Sequence, residues 1–271
     1  KLGGSLLTDK NQNATARINH IRQCARAIAD AMRARPDLRL LLAHGSGSFG
    51  HFAATQSRFG SSGVTGYAAT GAAAARLNRI VTDICLDEGL PVVSMQPSAS
   101  AVCDDGRLVE MATRPIALAL QHSLMPVVFG DVAFDLTRGE TIASTELIFG
   151  YLAQRLAPSR IVLAGQVNGV FTADPLRDPL AQRIARITPA TFERVHAQLG
   201  GSHGVDVTGG MLSKVELMVN VVRALPTVRV QIVSGETSGL LARVLCDADD
   251  DVGTWIENDK ETGTQVHTYT G

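Results

Sequence analysis

Short apolar runs alternate along this chain with longer stretches of helical periodicity. Between Ala14 and Arg35, the residues Ile18, Ile21, Ala25, Ile28, Ala29 and Met32 fall on one face at three- and four-residue spacing, which predicts an amphipathic helix ended by Pro36. Leu38–Ala43, Pro91–Met95, Met125–Phe129, Ile161–Ala164 and Val228–Val233 are near-continuously apolar, the pattern of strands buried on both faces of a parallel sheet. Further helices are predicted over Gly66–Glu88, Arg114–His122, Ser144–Leu156 with Ser144 or Thr145 as cap, Pro189–Leu199, Gly210–Leu225 and Thr237–Leu245. Arg107–Met111 reads as part of a hairpin, and Asp131–Ile142 as a hairpin turning at Thr137-Arg138-Gly139. Val252–Ile256 is a last short strand, and Asn258–Gly271 a polar, frayed tail. Lys1–Leu7 reads as the end of a strand running into a tight glycine turn, so residues upstream of Lys1 are expected.

This alternation predicts an α/β fold, an αβα sandwich with a mostly parallel central sheet. Right-handed crossovers place the loops that follow the strands on one edge, where ligands bind in such folds. The chain shows no internal repeat and no low-complexity linker. Its weakest seam is Ala157-Pro158, which divides one continuous fold into lobes of residues 1–158 and 159–271.

Composition narrows the partners. The 271 residues can bury a sizeable core, and 45% hydrophobic with 19% charged residues is ordinary for a globular enzyme. A net charge of −1 provides no global basic field for nucleic acid or an anionic membrane, so an anionic ligand must be held by local cations. No apolar run approaches the roughly 18 residues of a membrane span, and no secretory signal opens the sequence. Cys24, Cys85, Cys103 and Cys246 are scattered, without a C-x-x-C pair, as expected of reduced thiols in a cytoplasmic protein. Of the 25 basic residues only Lys1, Lys10, Lys214 and Lys260 are lysines. A lysine in so arginine-rich a background points to a place that needs a compact point charge.

Three of these lysines lie in or near glycine-containing segments. Lys1-Leu2-Gly3-Gly4-Ser5 leaves a strand, and its adjacent glycines let backbone amides converge on an anion; alone, it reads equally as a plain turn. His44-Gly45-Ser46-Gly47-Ser48-Phe49-Gly50-His51 follows a second strand and leads into a helix, whose first amides favour phosphate. It is neither a P-loop nor G-x-G-x-x-G, and His51 there either binds or caps. Gly130-Asp131 follows Met125–Phe129 and supplies either a carboxylate for a site or an ordinary turn. Thr208-Gly209-Gly210-Met211-Leu212-Ser213-Lys214 opens a helix, with Lys214 on the first turn, where a cation is unfavourable unless an anion is bound.

Other chemistries lack their residues. There is no G-x-S-x-G elbow, no H-E-x-x-H and no Cys/His spacing for a metal, and aromatics at 4% are too few to interleave a basic patch.

Taken in order, these segments resemble the amino acid kinase superfamily over nearly the whole chain, and within it the isopentenyl phosphate kinase family. The matching stretches are Lys1–Lys10, Gly45–His51, Gly130-Asp131-Val132, Ser144-Thr145-Glu146, Val167–Pro175 and Gly209-Gly210-Met211 with Lys214. His51 separates this chain from the acylphosphate-forming kinases, while fosfomycin-resistance kinases carry a similar histidine and remain an alternative, as does a non-catalytic nucleotide-binding storage or regulatory protein on the same fold. The chain departs from the family at Ser46, at Glu146, and at Gln166 and Asn168, which replace two carboxylates of the nucleotide loop.

The resemblance implies ATP and Mg²⁺, direct in-line transfer to the phosphate of isopentenyl phosphate, and a homodimer. It makes 1–158 the acceptor lobe and 159–271 the nucleotide lobe. It implies catalytic roles for Lys1, Lys10, His51 and Lys214. The acceptor side would comprise Gly3, Gly4, Ser5, Gly47, Ser48, Gly50, His51, Gly130 and Asp131, with Tyr67 and Ala72–Ala75 as candidate walls. The nucleotide side would comprise Lys1, Lys10, Gly165, Gly169, Phe171, Asp174, Gly209, Gly210 and Lys214. A phosphate monoester has a second pKa of about 6, so such an acceptor needs no general base, and the task is to bring two polyanions together.

Overall fold

The computed structural model describes residues 1–56, 59, 64–175, 177–200 and 207–259, with backbone alone at 198–200 and 207–209. Lys260 and the tail beyond it lie outside the described residues.

The fold is an αβα sandwich of the kind the sequence predicts. Strands β1 (Leu42–His44), β2 (Val92–Ser94) and β5 (Met125–Phe129) pair in parallel in the order β1-β5-β2. Strands β8 (Arg160–Gly165), β11 (Arg186–Ile187), β12 (Arg229–Ser234) and β13 (Thr254–Ile256) pair in the order β11-β13-β12-β8, antiparallel only between β12 and β13. The opening residues join the two groups. Leu2 bridges in parallel to His44 on one side and Ala164 on the other, its amide donating to Ala43 O at 2.7 Å, while Gly3 N donates to Ala164 O at 2.8 Å. The first residues therefore lie at the centre of one continuous sheet.

Successive strand residues point to opposite faces, and the core divides accordingly. Leu42, Val127, Ala164 and Val233 join a cluster with Leu6, Ile21, Leu77 and Leu241. These come from α1 (Gly4–Leu7), α2 (Ile18–Ala34), α4 (Val64–Asp87) and α9 (Leu240–Cys246). Their neighbours Ala43, Val128, Leu163 and Ile232 join the other cluster with Ile148, Val195 and Met218, from α6 (Thr145–Leu156), α7 (Phe192–Gly200) and α8 (Val207–Ala224). Ser144 caps α6 as predicted, its hydroxyl accepting the Leu147 amide at 3.1 Å.

A second sheet carries the predicted hairpins. β3 (Val102–Asp104), β4 (Arg107–Glu110), β6 (Asp131–Asp135) and β7 (Gly139–Ala143) are ordered β4-β3-β6-β7. Helices α3 (Gly47–Gln56) and α5 (Arg114–Gln121), the 3-10 turn Pro97–Ala99, and the two-residue strands β9 (Val170–Phe171) and β10 (Arg183–Ile184) complete the elements. The short strands β9, β10 and β11 escape the sequence because two residues carry no periodicity. Among the described residues no helix is long and apolar enough to cross a membrane.

Candidate functional site

The two glycine segments of the N-terminal half meet directly. A Cβ on Gly4 would lie 2.6 Å from Gly47 N and 2.7 Å from Gly47 Cα, so α1 and the start of α3 touch backbone to backbone. Gly47 also has φ +52°, and its own Cβ would strike Thr8 Oγ1 at 2.2 Å. Thr8 stitches the contact: its hydroxyl donates to Gly4 O at 2.8 Å and accepts the Ser48 amide at 2.9 Å.

This packing decides which amides can meet an anion. The Gly3 amide, expected to face a phosphate, is committed to Ala164 O and cannot. Among the described residues the amides of Gly4, Ser5, Gly47 and Phe49 have no protein acceptor, and the Ser48 hydroxyl is buried without a partner. Free amides are ordinary in the first turn of a helix and are open to an anion there, whereas the buried, unpaired Ser48 hydroxyl is the rare feature, one that a ligand could satisfy. The opening segment is a turn of helix after the strand end, rather than a glycine turn alone.

Beside this contact lies a cavity of about 240 Å³ lined by Ser46, Gly47, Gly50, His51, Gly130 and Asp131, with small side chains Ala54, Thr70 and Ala74 and the hairpin residue Ile142 completing the wall. His51 sits on the second turn of α3, exposed, edge-on to Phe52. Asp131 is buried and accepts the amides of Val132 at 2.9 Å and Ser98 at 3.1 Å. Burial raises its carboxyl above the ordinary aspartate range against the pull of those hydrogen bonds. Of the proposed walls, Ala74 lines the cavity, while Tyr67 stacks on Phe134 with centroids 4.7 Å apart. A larger cavity of about 680 Å³ lies where Leu40–Leu42 approach Ile161 and Val162. Its lining is mostly apolar and, although Lys1 borders it, includes none of the loop glycines and no His51, so the smaller cavity is the candidate site.

Lys1 is turned inward to pair with Glu146 on the first turn of α6, both side chains under a tenth exposed. Burial works to raise the Glu146 carboxyl, but the Lys1 and Lys214 charges outweigh it and hold it below the usual glutamate value. Lys214 thus approaches this pair from α8. The helix starts at Val207, so Lys214 stands two turns in and Gly209 and Gly210 lie inside its first turn; the expected first-turn penalty on Lys214 does not apply, and its side chain is half-buried.

Lys10 is exposed on the turn after α1. Gly165 ends β8, with its carbonyl accepting the Gly235 amide at 2.7 Å, and Gly169 leads into β9, where Phe171 is half-buried. Asp174 follows, 3.5 Å from Arg177. Of the two departures in this loop, Asn168 has structural work, its Oδ1 accepting the Ser234 amide at 3.2 Å; Gln166 contributes only its backbone carbonyl, which accepts the Ser234 hydroxyl at 3.3 Å and would do so from any residue. They tie the loop to the end of β12.

Sequence reasoning passed over three residues. Glu146 stands in a matching stretch and as a departure there but receives no role, yet a buried lysine needs a countercharge, and the first turn of a helix is where an acid is favoured. Thr8 carried no signal beyond lying four residues after Gly4. His44 reads in the sequence as the first residue of the glycine loop, whereas it ends β1.

The sequence model of the amino acid kinase family matches residues 1–234. Isopentenyl phosphate kinase of Methanothermobacter thermautotrophicus is 32% identical over 257 residues, covering 90% of this chain and 93% of that protein. The enzyme of the same name from Methanocaldococcus jannaschii is 31% identical over 229 residues, 80% of this chain and 85% of that one. An X-ray structure of isopentenyl phosphate kinase superposes with a TM-score of 0.78 at 29% identity, over 94% of this chain and 97% of its own.

Proposed function

The chain belongs to the amino acid kinase family, and from that premise we propose that it transfers the γ-phosphoryl group of ATP to the phosphate of isopentenyl phosphate, releasing isopentenyl diphosphate and ADP. The observation that carries this reading is the cavity in which His51 meets the α3 amides beside the Gly4–Gly47 contact. It is a small site with an anion-binding end and a mostly small-residue or aliphatic wall. Relatives named for this reaction cover most of the chain.

In this reading the acceptor phosphate rests on His51, the Gly47 amide and the Ser48 hydroxyl, with Gly50, Gly130 and Asp131 shaping the cavity. The transferred group passes over the amides of Gly4 and Ser5. Lys1 and Lys214 neutralise the charge that two polyanions bring together, and Glu146 holds Lys1 in place before they arrive. Lys10 reaches the phosphates from its exposed turn. The dianionic acceptor attacks without a general base, so the acceleration rests on position and charge. We assign residues 1–158 to the acceptor side and 159–271 to the nucleotide side, where Gly165, Gly169, Phe171, Asp174, Gly209 and Gly210 border ATP.

Among the described residues no group of three or more His, Cys, Asp or Glu side chains could hold a metal. Mg²⁺ belongs to this reading as a companion of ATP, where it would offset phosphate charge. A homodimer and a cytoplasmic location belong to the same reading, the four free cysteines fitting a reducing compartment.

The test is a panel of isopentenyl phosphate, fosfomycin, glutamate and carbamate with purified protein and Mg-ATP, read by ³¹P NMR. A new diphosphate pair from isopentenyl phosphate is expected; its absence, with turnover of another acceptor or of none, overturns the reading.

A further inference from the structure

His44 is fully buried at the end of β1, its ring stacked on Phe129 with centroids 5.6 Å apart and planes 9° from parallel. Nδ1 lies 3.2 Å from the carbonyl of Gly45, and Nε2 lies 3.1 Å from Oδ1 of Asn78, whose Nδ2 donates to Ser94 Oγ at 2.7 Å. The His44 backbone carbonyl accepts Thr145 Oγ1 at 2.9 Å and Gly130 N at 3.0 Å. One residue thus touches the acceptor loop through its ring. Through its carbonyl it touches both the start of α6, which carries Glu146, and the turn before Asp131.

The chemistry of the partners fixes the proton. A carbonyl can only accept, so Nδ1 carries hydrogen. As placed, Asn78 Oδ1 faces Nε2 and Nδ2 donates to Ser94 Oγ, so Nε2 would also carry hydrogen, giving a buried imidazolium with no carboxylate against it, at high cost. Burial, reinforced by the nearby Lys1 charge, disfavours that charged form. The side-chain amide orientation is interchangeable on shape alone. With the Asn78 amide turned over, the neutral network runs from the Ser94 hydroxyl to Asn78 Oδ1, from Asn78 Nδ2 to His44 Nε2, and from His44 Nδ1–H to Gly45 O.

We propose that His44 is a positioning residue for phosphoryl transfer: as the neutral Nδ1–H tautomer it pins the Gly45 carbonyl and thereby aims the Ser46 amide as a donor to the acceptor phosphate. In a trans peptide the C=O and the following N–H point in opposite directions, so holding one sets the other. Ser46 lines the acceptor cavity, and among the described residues its amide has no protein acceptor. The ring itself is fully buried, so it acts through the loop rather than on a ligand. This rests on the reading of the cavity as the acceptor site.

Two measurements test it. The first is ¹⁵N NMR of the full chain without substrate, with the His44 ring signals assigned by through-bond connectivity to its own backbone resonances. An Nδ1–H tautomer is expected; an Nε2–H tautomer or an imidazolium at pH 7.5 overturns the proposal, whatever the enzyme's substrate and even if every variant fails to fold. The second compares His44→Asn, whose amide can place a donor where Nδ1 was, with His44→Gln, whose amide reaches the Nε2 position instead. Acceptor KM is expected to stay within about threefold for His44→Asn and to rise about tenfold or more for His44→Gln, with ATP KM within about twofold for both. Equal impairment of the two variants, or equal shifts in both KM values, overturns it. A wild-type protein inactive on isopentenyl phosphate would fail the functional reading while the tautomer result stood on its own.

Discussion

Lys1 Nζ and Glu146 Oε1 form an ion pair across a separation of 145 residues, with side chains 7% and 8% exposed. Buried pairs of this kind are weak contributors to stability, because desolvation offsets much of their attraction. What the pair provides is a fixed lysine. Lys1 stands next to the Leu2 bridge at the sheet centre, and Glu146 stands on a capped helix end, so neither can drift.

Glu146→Gln keeps the shape and removes the countercharge. Breaking one side of a buried pair costs about 3–5 kcal/mol. The variant is expected to melt well below the wild type and to lose at least tenfold in kcat, with acceptor KM changed less than kcat. A kcat within about twofold of wild type would remove the pair from the reaction.

The same pair sets an acid limit. Glu146 titrates below its ordinary value in the folded chain, so the folded state binds its proton less readily than the unfolded state. Its stabilisation is therefore complete above the unfolded pKa of about 4.3 and is lost as pH falls through the folded value. Thermal melts at stepped pH are expected to show the wild-type advantage over Glu146→Gln constant near neutrality and shrinking below about pH 4.3. A gap that widens with acid would contradict the assignment.

Gly4→Ala tests the contact between the two loops. The added methyl would sit 2.6 Å from Gly47 N, and backbone has nowhere to retreat. Overpacking of this sort costs roughly 1–3 kcal/mol. Calorimetry is expected to show a loss in that range, and kinetics a fall in kcat, because the phosphate-facing amides are parted. Gly165→Ala, where a Cβ meets nothing within 4 Å, is the control for stability alone.

Most of the fold was legible because its strands and helices have strong, long-range periodicity. Met125–Phe129 and Ser144–Leu156 are where the pattern puts them, within a residue. The cavity was half legible: His51, Gly47, Gly130 and Asp131 come from segments the motifs flagged, and the sheet brings them together. What the sequence hides is pairing at a distance. Nothing near Gly3 says that Ala164 takes its amide, and nothing near Lys1 names Glu146 as its partner. The start of α8 was misplaced because glycines were read as a helix boundary, although the first turn tolerates them and the helix begins at Val207.

His51→Ala isolates the acceptor end of the site. His51 lies on the cavity wall, exposed and outside the core, so its removal leaves the packing of α3 intact and the melting temperature near wild type. In the proposed reaction its loss removes a hydrogen bond and charge complement to the acceptor phosphate, while the amides of Gly4 and Ser5, with Lys1 and Lys214, still meet ATP. Turnover at subsaturating acceptor is expected to fall at least about tenfold, equivalent to roughly 1.4 kcal/mol. Acceptor KM should rise more than ATP KM. Calorimetric titration should still show nucleotide binding with an affinity near wild type. If ATP binding weakened as much as acceptor use, His51 would belong to the nucleotide, and the orientation of the two substrates across the Gly4–Gly47 contact would have to be reversed.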